Sequence, residues 1–172
     1  MTVKINYSKN SNTKLSSNIV LFVNEKFSTN NIKSFISNTE LSYINDLLKT
    51  SDLKKNIFIY EVNSKKKIVL ISIKSNIKTS DVENLGAEFY GRINYGKNSE
   101  YAINSDSVNS KVENFLGHFL HGLKLKSYSF NKYKTKKDTR IISINIAGNK
   151  NKPSAKNQLK FRALEEGTFY AR

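Results

Sequence analysis

Residues 67–73 read Lys-Ile-Val-Leu-Ile-Ser-Ile, and this run decides the fold class because five of its seven residues are large and aliphatic. Such a run is typical of a strand with both faces covered, as in a sheet between two layers of helices. Residues 56–62 (Asn-Ile-Phe-Ile-Tyr-Glu-Val) form a second run. The polar residues between the two runs predict a turn joining neighbouring strands. The pair therefore predicts a three-layer sandwich.

Strands and helices alternate outward from this pair. Two-residue alternation or short apolar runs predict further strands at residues 2–7, 18–24, 99–104 and 139–146. Helical spacing of apolar residues predicts helices at 39–50, around 80–93, around 110–123, and after 154. Interleaved β and α elements favour an α/β fold with a mixed sheet. We expect a single domain over residues 1–172, built as a three-layer α/β/α sandwich.

Each predicted helix starts at a residue whose side-chain oxygen can accept a hydrogen bond from a free backbone N–H of the first turn. They are Thr39, Ser80 with Glu83, Ser110 with Glu113, and Ser154.

Glycines and apolar residues predict how these helices pack. Gly86 and Gly91 would allow a neighbour to approach the second helix closely, and the third helix is expected to end near Gly122. On the last helix, one face is predicted by apolar and small residues that fall on or beside it: Leu159, Ala163, Gly167, Tyr170 and Ala171.

Composition limits the classes of protein to consider. The chain has 172 residues, 38% of them hydrophobic, with ten Phe and nine Tyr, which is enough for one core. It has no Cys, which excludes disulfides, thiolate catalysis and Cys-ligated metals. No stretch approaches the roughly 18 apolar residues of a membrane-spanning helix, and there is no signal-peptide pattern. We therefore expect a cytoplasmic protein with no membrane partner.

The formal net charge of +15 is typical of proteins that bind nucleic acid. However, arginine, which base recognition and stacking favour, is scarce among the 29 basic residues. The only arginines are Arg92, Arg140, Arg162 and Arg172.

The densest basic cluster spans residues 124–137 and contains Tyr128, Phe130 and Tyr133. Basic residues interleaved with aromatics suit single-stranded nucleic acid. Composition favours the alternative that the aromatics pack inward while the lysines stay solvated. If the cluster contacts a polyanion, the candidate residues are Lys132, Lys134, Lys136 and Lys137.

Other candidate motifs carry little chemistry. Residues 91–98 (Gly-Arg-Ile-Asn-Tyr-Gly-Lys-Asn) lack the final hydroxyl of a phosphate-binding loop, and Gly96 better fits a helix end. His118 and His121 share a helix face but lack the Glu of a metalloprotease motif, so we interpret them as surface or boundary residues. Glu165 and Glu166 are adjacent and should point to different faces. The sequence thus predicts no catalytic, cofactor-binding or metal-ligating residue.

Three segments resemble one family. They are Val-Glu-Asn-Leu-Gly-Ala at 82–87, Phe-Asn-Lys-Tyr-Lys-Thr-Lys-Lys at 130–137, and Ala-Leu-Glu-Glu-Gly-Thr-Phe-Tyr-Ala-Arg at 163–172. Their order resembles the N-terminal domain of the leucyl (cytosol) aminopeptidases, peptidase family M17. The resemblance implies a macrodomain-like α/β/α fold that carries no metal ligand and shapes assembly and active-site access. The catalytic domain, absent from these residues, would release N-terminal amino acids with two divalent ions, Zn or Mn.

The resemblance also implies two partners, the protein's own C-terminal catalytic domain and the other subunits of a homohexamer. By itself this chain is then not expected to be an enzyme or to bind a cofactor. One alternative is a basic module that binds DNA or another nucleic acid. Another is an ADP-ribose-binding macrodomain, which would need Gly-rich loops. Four of the seven glycines instead lie in helical patterns: Gly86, Gly91, Gly117 and Gly167.

Overall fold

The computed structural model describes residues 2–7, 18–95, 99–128 and 140–171. Six strands form one sheet: β1 Thr2–Tyr7, β2 Asn18–Asn24, β3 Ile57–Asn63, β4 Lys66–Ile73, β5 Ser99–Asn104 and β6 Ile141–Ala147. Their order is β1-β6-β5-β2-β4-β3. All neighbours are parallel except β3, which is antiparallel to β4. The predicted mixed sheet is confirmed, with all six strands where the sequence places them to within two residues.

Helices cover both faces of the sheet. They are α1 Asn38–Thr50, α2 Thr79–Ile93, α3 Phe115–Ser127 and α4 Ala155–Tyr170. Residues of α1 and of the segment before it form one core against β2, β4 and β3, and residues of α2 and α3 form a larger core on the opposite face. None of the helices within the described ranges has the length and hydrophobicity needed to cross a membrane.

Strand β4 belongs to both cores, as its sequence predicts. Ile68 and Leu70 pack on the α1 side, whereas Val69 and Ile71 pack on the α2 and α3 side, and all four are fully buried. Alternation of side chains across a strand produces this division. The strand that decides the fold class from sequence is therefore covered on both faces, and the three-layer α/β/α sandwich is confirmed.

An aromatic cluster fills the larger core. The ring of Phe22 in β2 makes edge contacts with Phe115 and Phe119 of α3, at centroid distances of 5.4 and 5.3 Å. Phe119 in turn lies 5.7 Å from Phe89 of α2. Edge-to-face pairs of this kind add to the hydrophobic gain from burial. The cluster thus fixes both helices against the middle of the sheet.

Helices α2 and α3 cross at two glycines. A Cβ on Gly86 would lie 1.9 Å from the carbonyl oxygen of Phe119, and a Cβ on Gly122 would lie 1.9 Å from that of Glu83. Each helix therefore needs its glycine for the other backbone to approach. The prediction for Gly86 is confirmed. The prediction for Gly91 is wrong, because a Cβ there would have no neighbour within 4 Å. The predicted end of α3 near Gly122 is also wrong, since the helix continues to Ser127.

The predicted caps of α1 and α2 are each two residues too late. The Ser37 hydroxyl accepts from the Glu40 N–H at 3.3 Å, and the Glu40 carboxylate accepts from the Ser37 N–H at 2.9 Å. This capping box replaces the predicted cap at Thr39. In α2 the Asp81 carboxylate accepts from the N–H of residue 78 at 3.2 Å, in place of the Ser80 and Glu83 box. Glu83 instead pairs with His118 of α3 at 2.9 Å.

The predicted capping box of α3 is also wrong. Asn114 has a positive φ of 52°, a left-handed conformation that separates residues 110–113 from the helix. The Ser110 hydroxyl accepts from the Val112 N–H at 3.2 Å and so closes a local turn. The cap predicted at Ser154 is confirmed, because its hydroxyl accepts from the Asn157 N–H at 3.2 Å.

The two crossing glycines give the first test. We expect Gly86→Ala and Gly122→Ala each to lower the free energy of unfolding by about 2–3 kcal/mol or more, because the new methyl must displace a backbone carbonyl. Gly91→Ala is the matched control in α2 and should be neutral or stabilising by up to about 1 kcal/mol, since alanine favours helix. Urea unfolding followed by circular dichroism measures all three. Equal effects at residues 86 and 91 would contradict the close crossing.

The contribution of Glu40 to the free energy of unfolding should depend on pH. Burial alone would raise the pKa of Glu40, but the Lys66 ammonium, 2.6 Å away, and the Ser37 N–H and hydroxyl hold it below its usual 4.5. The carboxylate thus contributes stability above the unfolded-state pKa, which is lost as pH falls through the lowered value. Glu40→Gln should cost about 1–2 kcal/mol at neutral pH and nothing in strong acid. Asp46→Asn, which breaks an exposed pair, should cost under about 0.5 kcal/mol.

Candidate functional site

The candidate polyanion contacts Lys132, Lys134, Lys136 and Lys137 lie outside the described residues, as do Phe130 and Tyr133. Tyr128 is described, and its ring stacks on Phe169 of α4 at 4.4 Å while its hydroxyl donates to the Phe169 carbonyl at 3.2 Å. For Tyr128 the expectation of inward packing is therefore confirmed. The incomplete phosphate-loop pattern begins at Gly91 inside α2, and residues 96–98 are outside the described ranges.

The two histidines of α3 connect this helix to its neighbours. His118 Nδ1 lies 2.9 Å from Glu83 of α2, and His121 Nδ1 lies 3.2 Å from Glu165 of α4. Both imidazoles pack on Phe161 of α4, at centroid distances of 5.0 and 4.9 Å. His118 lies at the boundary as expected, but the surface interpretation is wrong for His121, which is buried beneath α4. The Nδ1 atoms of the two histidines pair with different carboxylates, so the histidines do not converge on one metal ion.

Metal ligands do not cluster elsewhere in the part of the chain that the structure describes. Within these ranges no three His, Cys, Asp or Glu side chains come together in a way that could hold a metal ion.

The face that α4 buries differs from the predicted face. Phe161 and Glu165 point toward α3, whereas Leu159 is 68% exposed and Tyr170 is 96% exposed. A Cβ on Gly167 would also meet no neighbour within 4 Å. The prediction failed because apolar residues occur on all sides of α4, so their spacing does not identify the buried face. Glu165 and Glu166 differ in partner and exposure, as expected for adjacent helical residues: Glu165 pairs with His121 of α3 and is 13% exposed, whereas Glu166 pairs with Arg162 at 2.9 Å and is 67% exposed.

The carboxyl edge of a parallel sheet is where α/β domains usually bind ligands, at the point where neighbouring chain connections diverge. Here that point lies between β2 and β5, which part after Val20. Because β5 no longer pairs with β2 at Phe22, the backbone N–H and carbonyl of this residue need other hydrogen-bond partners. The Ser107 hydroxyl accepts from the Phe22 N–H at 3.0 Å, and the Asn31 amide donates to the Phe22 carbonyl at 3.0 Å. A cavity of about 300 Å³ remains beside these bridging side chains.

The loop after β6 offers a second possible anion site at this edge. Gly148 has a φ of 107°, and the next two backbone N–H groups, of Asn149 and Lys150, point at one oxygen. Consecutive N–H groups of this kind form a nest that can bind phosphate. The oxygen is Oδ1 of Asp106, which accepts from both at 2.8 and 2.6 Å. The protein's own carboxylate occupies the nest, which argues against the ADP-ribose alternative.

A larger cavity, of about 550 Å³, lies between β1, α3 and α4. Lys124 of α3 donates to the carbonyl of Val3 at the edge of the sheet, at 2.8 Å. Burial, and next the nearby charge of Glu165, raise the pKa of Tyr7 to about 12. The paired side chains of His121 and Glu165 are only 10% and 13% exposed. The cavity thus combines cationic, anionic and phenolic groups with apolar side chains. Sequence reasoning missed it because its three elements are far apart in the chain.

Phe161 is the apolar residue that attaches α4. Phe161→Ala should lower the free energy of unfolding of α4 by about 3 kcal/mol, because the ring is 7% exposed and contacts both histidines. Leu159→Ala, in the same helix, should change it by less than about 0.5 kcal/mol. Hydrogen exchange of α4 amides is the measurement. Similar exchange rates in the two variants would contradict the observed face.

Comparisons with known proteins agree with the fold. No protein-family model and no curated protein matches the sequence. The structure is similar to that of a mutant leucine aminopeptidase from tomato, with a TM-score of 0.67 and 12% sequence identity. The similarity covers 95% of this chain and 36% of the aminopeptidase chain, so the chain spans little more than a third of that protein's length. The comparison shows that this α/β domain shares its fold with part of a leucine aminopeptidase.

Proposed function

We propose that this chain is the non-catalytic N-terminal domain of a leucyl-aminopeptidase-like protein. The observation that carries the proposal is the unequal coverage of the structural match, which takes in 95% of this chain but 36% of the tomato enzyme. A domain of a larger enzyme would give this result. The family-like segments at 82–87 and 163–170 support the same interpretation, since they lie on α2 and α4 of the matching fold.

Catalysis in the proposed parent belongs to its second domain. Two divalent ions, Zn or Mn, would there supply the chemistry of peptide-bond hydrolysis by activating a water molecule and polarising the scissile carbonyl. The described residues of this chain do not fit such a centre, because His118 and His121 each pair with a separate carboxylate. The proposal therefore gives this domain a role in assembly and in access to the active site.

The outer face of α4 suits contact with the catalytic domain. Leu159, Leu164 and Tyr170 are 68%, 48% and 96% exposed. Exposed apolar residues grouped on one element commonly mark an interface. In the proposed parent, this face packs against the C-terminal catalytic domain, and the two-domain chain assembles as a cytoplasmic homohexamer.

The proposal predicts a clear division of activity. We expect this chain alone to release no leucine from leucyl-p-nitroanilide above the buffer rate with Mn²⁺ or Zn²⁺, because it offers no two-metal site. A leucine aminopeptidase assayed in parallel is the positive control. The transcript should also continue past the Arg172 codon into a metal-binding domain. Metal-dependent release by this chain, or a stop codon after Arg172, would contradict the proposal.

A further inference from the structure

We propose that the cavity between β1, α3 and α4 binds a small zwitterion with an apolar side chain, of which a free amino acid such as leucine is the simplest example. Its volume of about 550 Å³ falls in the range of roughly 300–1,000 Å³ typical of small-molecule sites. The proposal concerns side chains of this domain alone. It does not depend on the function proposed above.

The apolar part of the cavity comes from all three elements. Ile5 of β1, Leu120 of α3, and Phe161 and Phe169 of α4 line it. A branched aliphatic side chain can remove this surface from water without displacing a polar group, and that burial is the main source of affinity.

Two hydrogen-bond donors stand at the β1 side of the cavity. The Lys124 ammonium has three donors, and the Val3 carbonyl takes one of them, which leaves two free to bind a ligand. The Tyr7 hydroxyl has no hydrogen-bond partner among the described residues. With a pKa of about 12 it stays protonated at neutral pH and remains a donor. Lys124 and Tyr7 together suit a carboxylate.

Two acceptors stand at the α4 side. Glu165 gives one oxygen to His121, and Glu166 gives one oxygen to Arg162, so each carboxylate keeps a second oxygen. The Glu165 side chain is 13% exposed, whereas that of Glu166 is 67% exposed. A charge-assisted bond is stronger away from water, so Glu165 is the better partner for an ammonium group.

The balance of charge selects a zwitterion over a simple ion. Lys124 and Arg162 match Glu165 and Glu166 in number, so a ligand of one sign would meet as much repulsion as attraction. A molecule with an ammonium at one end and a carboxylate at the other can face both pairs of charges. It would also bridge β1, α3 and α4, and should therefore slow hydrogen exchange in α4.

Titration calorimetry with L-leucine tests the proposal. We expect saturable binding with a Kd on the order of 0.1–1 mM, as befits a ligand of this size. Three comparison ligands each remove one feature: leucinamide lacks the carboxylate, 4-methylpentanoate lacks the amine, and glycine lacks the apolar side chain. Each should bind at least about tenfold more weakly. No saturable binding by about 10 mM leucine, or equal binding of all four ligands, would overturn the proposal.

Variants assign the binding to this cavity. Lys124→Met keeps the apolar stem but removes the ammonium, and Glu165→Gln removes the charge of the acceptor; each should raise the Kd about tenfold. Lys126→Met, an exposed position outside the cavity, is the matched control and should leave the Kd within about twofold.

A further variant separates loss of binding from loss of folding. Lys124→Met also removes the partner of the Val3 carbonyl, so Tyr7→Phe provides a milder change that deletes one hydroxyl. It should raise the Kd about threefold to tenfold while circular dichroism stays unchanged. Leucine affinity that is unaffected by both Tyr7→Phe and Glu165→Gln would place the binding elsewhere and overturn the proposal.

Discussion

The crossing of α2 and α3 is the constraint on which the rest of the structure depends. At Gly86 and Gly122 each backbone approaches a carbonyl of the other helix so closely that no side chain fits between them. This contact holds α3 over the middle of the sheet, where Phe119 meets Phe22. This contact also fixes the positions of the α3 residues that face α4 and β1. His121 and Lys124 can reach α4 and the edge of β1 only because the opposite face of their helix is fixed in this way.

Helix α4 is attached by a different kind of contact. Where α2 and α3 meet through backbone and a large aromatic core, α4 meets α3 through Phe161, the pair of His121 and Glu165, and the stacked rings of Tyr128 and Phe169. An attachment that relies on a few polar and aromatic groups leaves space between them, and the cavity is that space. It also leaves apolar residues such as Leu159 on the outside. A helix that buries charge and exposes leucine suits contact with a second domain.

The sequence predicts elements whose signal is local and misses features that need distant residues. Strand β4 is recognisable because residues 67–73, seven of its eight residues, carry the whole pattern. Capping fails where several Ser, Thr and acidic residues compete: Ser37 forms the capping box of α1 although Thr39 is nearer the apolar run, and Asn114 starts α3 in place of Ser110. The role of Gly122 cannot be predicted locally, because a glycine near a helix end and a glycine at a helix crossing look alike in sequence. The cavity brings Lys124 to Val3 across 121 positions, a separation that no motif spans.

The two possible ligand sites of this domain contrast in how their polar groups are used. At the carboxyl edge of the sheet, Ser107 and Asn31 complete the backbone of Phe22, and Asp106 fills the nest after β6. Every one of these groups has an internal partner, so a ligand there would have to replace existing hydrogen bonds and would gain little. In the cavity beside α4, Lys124 and Glu165 are held in place by single contacts and retain free donors and lone pairs. A ligand gains most where side chains are held in place but keep unused hydrogen-bonding groups. In this domain such side chains lie in the helix layer beside α4 and not at the carboxyl ends of the strands.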